Sequence, residues 1–331
     1  MFIIENYSTA ILFCIITMLC WGSWANTQKL AATTWRFELF YWDYVFGILL
    51  LSLISAFTLG SIGSEGRPFM EDISQADNRN IFSAMTGGLI FNAANILLVA
   101  AIAIAGMAVA FPVGIGLALV IGVIVNYIAN PVGNKLLLFG GVALIVVAIL
   151  LNANAYRKLQ SGIKNSSSKG LWLSIVAGVL MGFFYKYVAA SMFPDFHVPQ
   201  AGKLSPYTAV VFFAAGILLS NFLFNSVLMR RPFAGAPVTY SDYFKGNLQN
   251  HITGILGGAI WCAGMSFSII ASGRAGPAIS YGLGQGATVV AAIWGIFIWK
   301  EFRNAPKGTS IVLNIMLLLY VAGLSLIIAA R

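Results

Sequence analysis

The chain has 331 residues, of which 59% are hydrophobic and only 9% are charged, and its mean hydropathy is +0.87. Soluble domains carry about 25% charged residues, so the composition excludes an ordinary soluble protein and predicts an all-α integral membrane protein. The formal net charge is +9. The basic residues are scattered among short loops, which is typical of membrane topology and does not indicate nucleic-acid binding.

Ten stretches of about 20 apolar residues follow one another along the chain, and this is the length that a helix needs to cross the hydrocarbon core of a bilayer. They predict spanning helices at 9–28, 39–59, 81–105, 107–129, 135–155, 170–192, 206–229, 250–272, 276–299 and 308–330. The third and fourth helices, and the eighth and ninth, are joined so closely that each pair should form a tight hairpin. The serine-rich run at 165–169 predicts a linker.

An internal repeat links the two halves of the chain. Residues 87–116 align without a gap on residues 257–286 and are identical at ten positions, among them Gly87 with Gly257 and Gly114 with Gly284. The sequence GILL at 47–50 also recurs at 216–219. A duplicated membrane unit of this kind is typical of secondary transporters.

The number of helices in each copy predicts how the copies are oriented. Each copy holds five predicted helices, and because five is odd, consecutive copies must cross the membrane in opposite directions. We therefore predict two inverted five-helix repeats, at 1–155 and 170–331, joined by a linker at 156–169. Rocking of one repeat against the other would give alternating access to a central site.

The distribution of Lys and Arg predicts which face is cytoplasmic. Loops that follow odd-numbered helices carry twelve of these residues, whereas the other face, with both termini, carries six. Cytoplasmic loops carry the excess of positive charge. We therefore predict a multi-pass protein of the cell (inner or plasma) membrane, with both termini outside and the 156–169 linker in the cytoplasm.

Two charged residues fall within the predicted spans, Asp43 in helix 2 and Lys186 in helix 6. An ionisable side chain in hydrocarbon is costly and by default indicates a functional site. Asp43 lies in the sequence YWDY, so it is either part of an interfacial aromatic belt or a proton-coupling or substrate-binding acid, with Tyr44 beside it to hydrogen-bond a polar solute. Lys186 either reaches toward the helix end, pairs with Asp43, or donates to substrate.

Uncharged polar and aromatic residues in the spans form a second group of candidates. Indole rings can stack on a sugar or a flat heterocycle while amides bind its edge. The candidates for substrate binding are Trp24 and Asn26 in helix 1, Asn92 and Asn95 in helix 3, Trp261 in helix 8 and Gln285 in helix 9. Some of these side chains could instead hold helices together or mark a helix end at the interface.

Pro112 in helix 4 lies opposite Gly282 in helix 9 when the repeats are aligned. We expect both helices to be interrupted there, which would free backbone groups to face a substrate. The sequence GLGQG at 282–286 is not a dinucleotide-binding loop, because that motif requires a preceding strand.

The chain lacks the patterns that other function classes require. There is no P-loop lysine motif, no Ser/His/Asp or HExxH arrangement, and no Cys/His spacing typical of a metal site. We therefore expect no enzyme activity, no cofactor and no metal, and the absence of a charged pore ring argues against a channel. His251, at the start of helix 8, is interpreted as an interfacial residue.

Several motifs together resemble the ureide permease family and the related glucose/ribose uptake porters, within the drug/metabolite transporter superfamily. They are WGSWANTQKL in helix 1, YWDY in helix 2 followed by AFTLGSIG, GGLIFNAAN in helix 3, AGMAVAFPVGIGLALVIGVIVNY in helix 4 and IWKEF after helix 9. The resemblance implies proton-driven uptake of a small polar solute. It places Asp43 at the aspartate of the family's YxDY pattern. The plant members carry a longer central loop, and Ala25 stands where a proline is expected.

The leading hypothesis is a secondary active, proton-coupled uptake transporter for a ureide or related oxo-heterocycle, or for a monosaccharide. Its expected partners are the solute, H⁺ and the lipid bilayer, with no nucleic acid, and it should act as a monomer or homodimer. The alternative is an exporter or broad-specificity permease of the same fold, whose site should be apolar and aromatic.

Overall fold

The computed structural model describes residues 1–331 except 32–33, 106, 160–167, 234 and 304, so most of the predicted linker lies outside the described residues. Within the described part the chain is built from α-helices and one π-helical turn. The helices are α1 Tyr7–Ser23, α2 Asn26–Leu30, α3 Phe37–Phe57, α4 Phe69–Gln75, α5 Asn78–Ala105, α6 Met107–Ala129, α7 Lys135–Leu159, α8 Ser168–Ser191, α9 Pro206–Arg230, α10 Tyr240–Phe244, α11 Leu248–Ala275, α12 Pro277–Gly284, α13 Ala287–Ile293 and α14 Thr309–Ile328.

Nine helical segments of the described chain are long and apolar enough to cross a membrane, which confirms a multi-pass membrane protein. They correspond to all the predicted spans except the fourth, and their ends lie within a few residues of the predicted ends. The fourth predicted span coincides with α6, whose stretch Val113–Ala129 is an apolar helix. The first span is formed by α1 and α2 together, and the ninth by α12, α13 and the π-helical turn Trp294–Ile298.

Two short helices, α4 and α10, lie in connections between the predicted spans. The helix α10 begins with a capping box, in which Thr239 and Asp242 satisfy each other's backbone N–H groups. A hydropathy window cannot detect such elements, because local hydrogen bonds rather than apolar length define them.

The interruption of the ninth span is shifted from the predicted position. The helix α12 continues through Gly282 and ends at Gly284, and a tight turn at Gln285 and Gly286 precedes α13. In that turn the Gly286 N–H donates to the Leu283 carbonyl oxygen at 2.9 Å, three residues back rather than four. The expected break at Pro112 is wrong: Pro112 lies in the second turn of α6, which runs without interruption to Ala129. A single missing N–H so near the helix start does not end the helix.

The two ends of the chain lie on one face of the molecule. The Tyr7 hydroxyl donates to the Ile328 carbonyl oxygen at 2.6 Å, and the Asn134 N–H donates to the Ala330 carbonyl oxygen. We call this the terminal face, and the opposite face, which carries α10, the α10 face. The connections near 58–77, 130–134 and 192–205 also lie on the terminal face.

The helices pack in pairs that correspond between the two halves. In the first half, α5 packs against α8 and α9 of the second half. In the second half, α11 packs against α1 and α3 of the first half, which are the corresponding helices. Two further contacts, α3 with α9 and α7 with α14, join helices that occupy the same place in each half. Each of these contacts between a helix of the first half and one of the second half therefore either has a counterpart between the corresponding helices or joins two corresponding helices.

Glycines allow the closest of these contacts. A Cβ added at Gly88 would collide with the Phe213 carbonyl oxygen, and one added at Gly258 would collide with the Tyr44 carbonyl oxygen. Backbones approach this closely only where side chains are absent. The same holds for Gly216 against the Met85 carbonyl group and Gly47 against the Ile255 carbonyl group.

Candidate functional site

A cavity of about 130 Å³ lies at the centre of the protein, between the two halves. An engineered cavity of about 150 Å³ in another protein holds a benzene molecule, so this space matches roughly one six-membered ring. Its lining residues are Trp21, Trp24, Phe91, Asn95, Leu98, Ile115, Met181, Phe184, Trp261, Gln285, Ala287, Thr288 and Ala291. Four of the predicted site residues, Trp24, Asn95, Trp261 and Gln285, are therefore brought together here.

Five aromatic residues line the cavity. The rings of Trp21 and Trp261 are nearly parallel, with centroids 5.7 Å apart and an interplanar angle of 13°. The Trp21 indole N–H donates to the Trp261 carbonyl oxygen at 3.1 Å, which fixes the pair. Phe91 lies 4.3 Å from Trp261, centroid to centroid. This wall suits the faces of a flat, unsaturated solute.

The two amides of α5 have different roles. The Tyr41 hydroxyl donates to the Asn92 Oδ1 at 2.8 Å and accepts from the Asn95 Nδ2 at 3.1 Å. The Asn92 Nδ2 in turn donates to the Ser220 hydroxyl at 2.9 Å. The oxygen and the nitrogen of the Asn92 side chain therefore both form hydrogen bonds between helices. The Asn95 Oδ1 has no hydrogen-bond partner among the described residues and can accept from a solute in the cavity.

Gln285 supplies the other polar group of the cavity wall. It sits in the turn between α12 and α13, and its side-chain amide makes no hydrogen bond within the described part of the chain. The turn itself is held by backbone bonds and by the Thr288 hydroxyl, which donates to the Gln285 carbonyl oxygen at 3.1 Å. Gln285 can therefore both donate to and accept from a solute.

Tyr44 lies behind this wall. Its ring is 4.7 Å from Trp24 and 5.3 Å from Tyr41, centroid to centroid. The side chain is buried, and its hydroxyl has no partner in the described structure. In this conformation Tyr44 supports Trp24 rather than lining the cavity.

A second cavity, of about 140 Å³, continues from the central one toward the α10 face. Thr288 and Ala291 line both cavities. Asn26, predicted to bind substrate, lines this second cavity, and its Oδ1 accepts from the Trp299 indole N–H at 2.7 Å. Near its mouth Lys29 and Glu301 form an ion pair at 3.2 Å.

On the other side, a buried hydroxyl cluster closes the central cavity toward the terminal face. The Tyr185 and Ser268 hydroxyl oxygens are 3.0 Å apart, and those of Ser268 and Ser280 are 3.1 Å apart. The Tyr281 hydroxyl donates to the carbonyl oxygens of Ala118 and Met181. We call Tyr185, Ser268, Ser280 and Tyr281 the plug.

Asp43 is buried near the α10 face, where two side chains bind it. The Tyr243 hydroxyl donates to its Oδ1 at 2.6 Å, and the His251 Nδ1 lies 3.0 Å from both carboxylate oxygens. The edge of the Trp35 ring contacts His251. Burial and the Asp43 charge raise the pKa of Tyr243, so this phenol keeps its proton and donates it.

Lys186 does not meet Asp43. It lines a different cavity near the terminal face, together with Asn126 and Lys203, whereas Asp43 binds Tyr243 and His251 near the α10 face. The interpretation of Lys186 as the counter-ion of Asp43 is therefore wrong. Both helices run from the α10 face to the terminal face, and Asp43 lies near the start of α3 whereas Lys186 lies near the end of α8.

Some site residues were missed by the sequence analysis. His251 was interpreted as interfacial and Tyr243 lies in a connection, so neither was linked to Asp43, about 200 positions away. Phe91 could have been found, because the repeat aligns it with Trp261. Within the described residues no group of three His, Cys, Asp or Glu side chains could hold a metal ion.

Comparison with known proteins agrees with the sequence resemblance. The ureide permease family profile matches residues 40–167 and 157–330. Ureide permease 1 of Arabidopsis thaliana is 22% identical over 386 residues, which cover 100% of this chain and 99% of that protein. Ureide permease 2 of the same plant is 23% identical, with the same coverage.

Two more distant matches were found. The glucose uptake protein GlcU of Bacillus subtilis (strain 168) is 25% identical over 222 residues, covering 66% of this chain and 68% of that protein. A solved crystal structure has a TM-score of 0.64 at 15% identity and covers 97% of this chain and 96% of its own, so it shares the fold.

Proposed function

The chain belongs to the ureide permease family and is a membrane transport protein rather than an enzyme, and from this premise we propose proton-coupled uptake of a small oxo-heterocycle by alternating access. The observation that carries the proposal is the ring-sized central cavity between the halves, which is lined by indoles and by the side-chain amides of Asn95 and Gln285. It lies where transporters with internal repeats bind their solutes.

Ten spans in two inverted five-helix repeats, at 1–155 and 170–331, account for the form of this cavity. At the repeat offset of 170, Phe91 corresponds to Trp261 and Ile115 to Gln285, and all four line the cavity. At the offset that aligns Gly22 with Gly182, Trp24 corresponds to Phe184, and both again line it. Corresponding residues of the two repeats line the same cavity, as expected for a cavity on the symmetry axis that relates the repeats.

The wall favours a flat oxo-heterocycle over a monosaccharide. A buried hydroxyl without a hydrogen-bond partner costs about 1–3 kcal/mol, and a hexose carries several. The amide groups of the cavity that have no hydrogen-bond partner among the described residues are the Asn95 Oδ1 and the Gln285 side chain. They can satisfy the N–H and C=O groups of a ureide edge while the aromatic wall covers a face of its ring.

Coupling to protons is assigned to the Asp43–His251 pair. Asp43 is held in the first half and His251 in the second, so a proton that binds the pair changes the contact between the halves. Histidine changes charge near neutral pH, and a buried carboxylate within a span is a default site of ion coupling. With the terminal face outside the cell, the present conformation is closed to the outside by the plug.

An exporter or broad-specificity permease is a second candidate, because five aromatic residues line the cavity. Cells that express the protein distinguish the two. The proposed function predicts growth on allantoin as nitrogen source and unchanged sensitivity to drugs. Drug resistance without uptake would support the second candidate instead.

Replacing Gln285 by Leu should raise the KM for the transported oxo-heterocycle about ten-fold, because one buried hydrogen bond of the solute is lost. The measurement is initial uptake against solute concentration in cells with matched expression. Gln249→Leu is the control, since Gln249 is an exposed residue of the α10 face whose side chain donates to the Leu30 carbonyl oxygen at 3.3 Å. An unchanged KM for the Gln285 variant would remove this residue from the site.

A further inference from the structure

A positively charged cavity near the terminal face has no role in the proposed function. It has a volume of about 390 Å³ and is lined by, among others, Asn126, Lys186, Phe193, Lys203 and Ser272. None of the described residues that line it is acidic. We call it the terminal vestibule.

Both lysines of the terminal vestibule lack a neutralising partner. Lys186 is exposed and makes no ion pair or hydrogen bond within the described residues. The Lys203 Nζ donates to the Ala190 carbonyl oxygen at 2.5 Å, a bond that leaves its charge uncompensated. Burial and the nearby charge of Arg79 lower the pKa of Lys203, as expected where positive charge is in excess. Such a cavity concentrates small anions.

A buried amide in the wall adds a hydrogen-bond acceptor. Asn126 is 1% exposed, and its Nδ2 donates to the Gly122 carbonyl oxygen at 2.8 Å. Its Oδ1 has no hydrogen-bond partner among the described residues, although buried side-chain oxygens are normally paired. A ligand that brings an N–H group would satisfy it. The wall also offers the ring of Phe193, and the Arg67 guanidinium group lies 6.0 Å from the centroid of that ring.

The vestibule stands next to the plug. Lys186 directly follows Tyr185, and Ser272 lies one helical turn beyond Ser268 on α11. The vestibule, the plug and the central cavity therefore follow one another along α8 and α11. A solute that enters from the terminal face must pass the two lysines before it reaches the plug.

We propose that the terminal vestibule is a capture site for a planar organic monoanion that also carries an N–H group, such as an acidic oxo-heterocycle. The anion would lie between Lys186 and Lys203, and its N–H would donate to Asn126. The role of the site in capturing a transported solute rests on the proposed function, whereas binding of the anion can be measured without transport.

Binding of orotate to the purified protein tests the site, with uracil as the neutral planar probe. We expect orotate to bind more tightly than uracil and to lose affinity as salt is raised. Lys186→Gln should weaken orotate binding about ten-fold, the loss expected for one charge-assisted hydrogen bond, and should leave uracil binding unchanged. Lys203→Gln should act in the same direction.

Lys135→Gln is the matched control, because Lys135 is an exposed lysine of the same face outside the vestibule. Size-exclusion chromatography of each variant verifies folding, which Lys186→Gln should preserve because this side chain has no partner to lose. Equal binding of orotate and uracil, no orotate binding, or equal effects of Lys186→Gln and Lys135→Gln would each overturn the proposal. Failure of allantoin uptake with intact orotate binding would instead reject the proposed transport function alone.

Discussion

Replacing Asp43 by Asn is expected to abolish proton-driven accumulation of solute while preserving exchange of solute across the membrane. The amide has nearly the shape of the carboxylate and can still accept from the Tyr243 hydroxyl, which now lies 2.6 Å from the Asp43 Oδ1. It cannot bind and release a proton. Uptake into proteoliposomes under an imposed pH gradient should therefore stop at the equilibrium concentration, and counterflow of labelled solute should continue.

The control for this variant is Asp242→Asn, which removes a carboxylate from the same face. Asp242 is half-buried and completes the capping box of the short helix α10 with Thr239, so its replacement should affect local stability by about 1 kcal/mol and leave accumulation unchanged. If Asp43→Asn still accumulates solute with the wild-type response to pH, the proton does not bind at this cluster.

Replacing Gly258 by Leu is expected to prevent assembly of the two halves. Even a Cβ at this position would collide with the Tyr44 carbonyl oxygen, so α3 and α11 would have to separate. Overpacking typically costs about 1–3 kcal/mol, and a clash with backbone cannot be relieved by a rotamer change. We expect loss of monodisperse protein after detergent extraction, measured by fluorescence-detected size exclusion.

Two further variants show whether this effect follows the repeat. Gly88→Leu, at the equivalent position against the Phe213 carbonyl oxygen, should fail in the same way. Gly116→Ala should be tolerated, because a Cβ there has no neighbouring heavy atom within 4 Å. A monodisperse and active Gly258→Leu variant would show that α3 and α11 do not approach each other closely at Gly258 and Tyr44.

The membrane-spanning architecture could be predicted because apolar length is a strong local signal. The start of α9 at Pro206 and the start of α6 at Met107 coincide with their predicted positions. The helix break lies at Gln285 rather than at the predicted Gly282. The backbone hydrogen bonds there join residues three apart instead of four apart, and hydropathy does not reveal this change. The cap of α10 was missed for a similar reason.

The candidate site was predicted only in part, because a sequence gives residue types and depths but not contacts. The cavity brings together Trp24, Asn95 and Gln285 as expected from their polarity and position in the repeat. Whether an amide is free depends on its partners, and so Asn92 proved to be bound by Tyr41 and Ser220. The partners of Asp43 lie in the other half of the chain, where no periodic pattern could indicate them.

The central claim is that the protein concentrates a flat oxo-heterocycle at the expense of a proton gradient. Uptake of labelled allantoin by proteoliposomes, with and without a protonophore, tests it most directly. The account predicts accumulation above the external concentration, collapse when the protonophore is added, and no competition by glucose. Equilibration without accumulation, or accumulation that the protonophore does not affect, would contradict it.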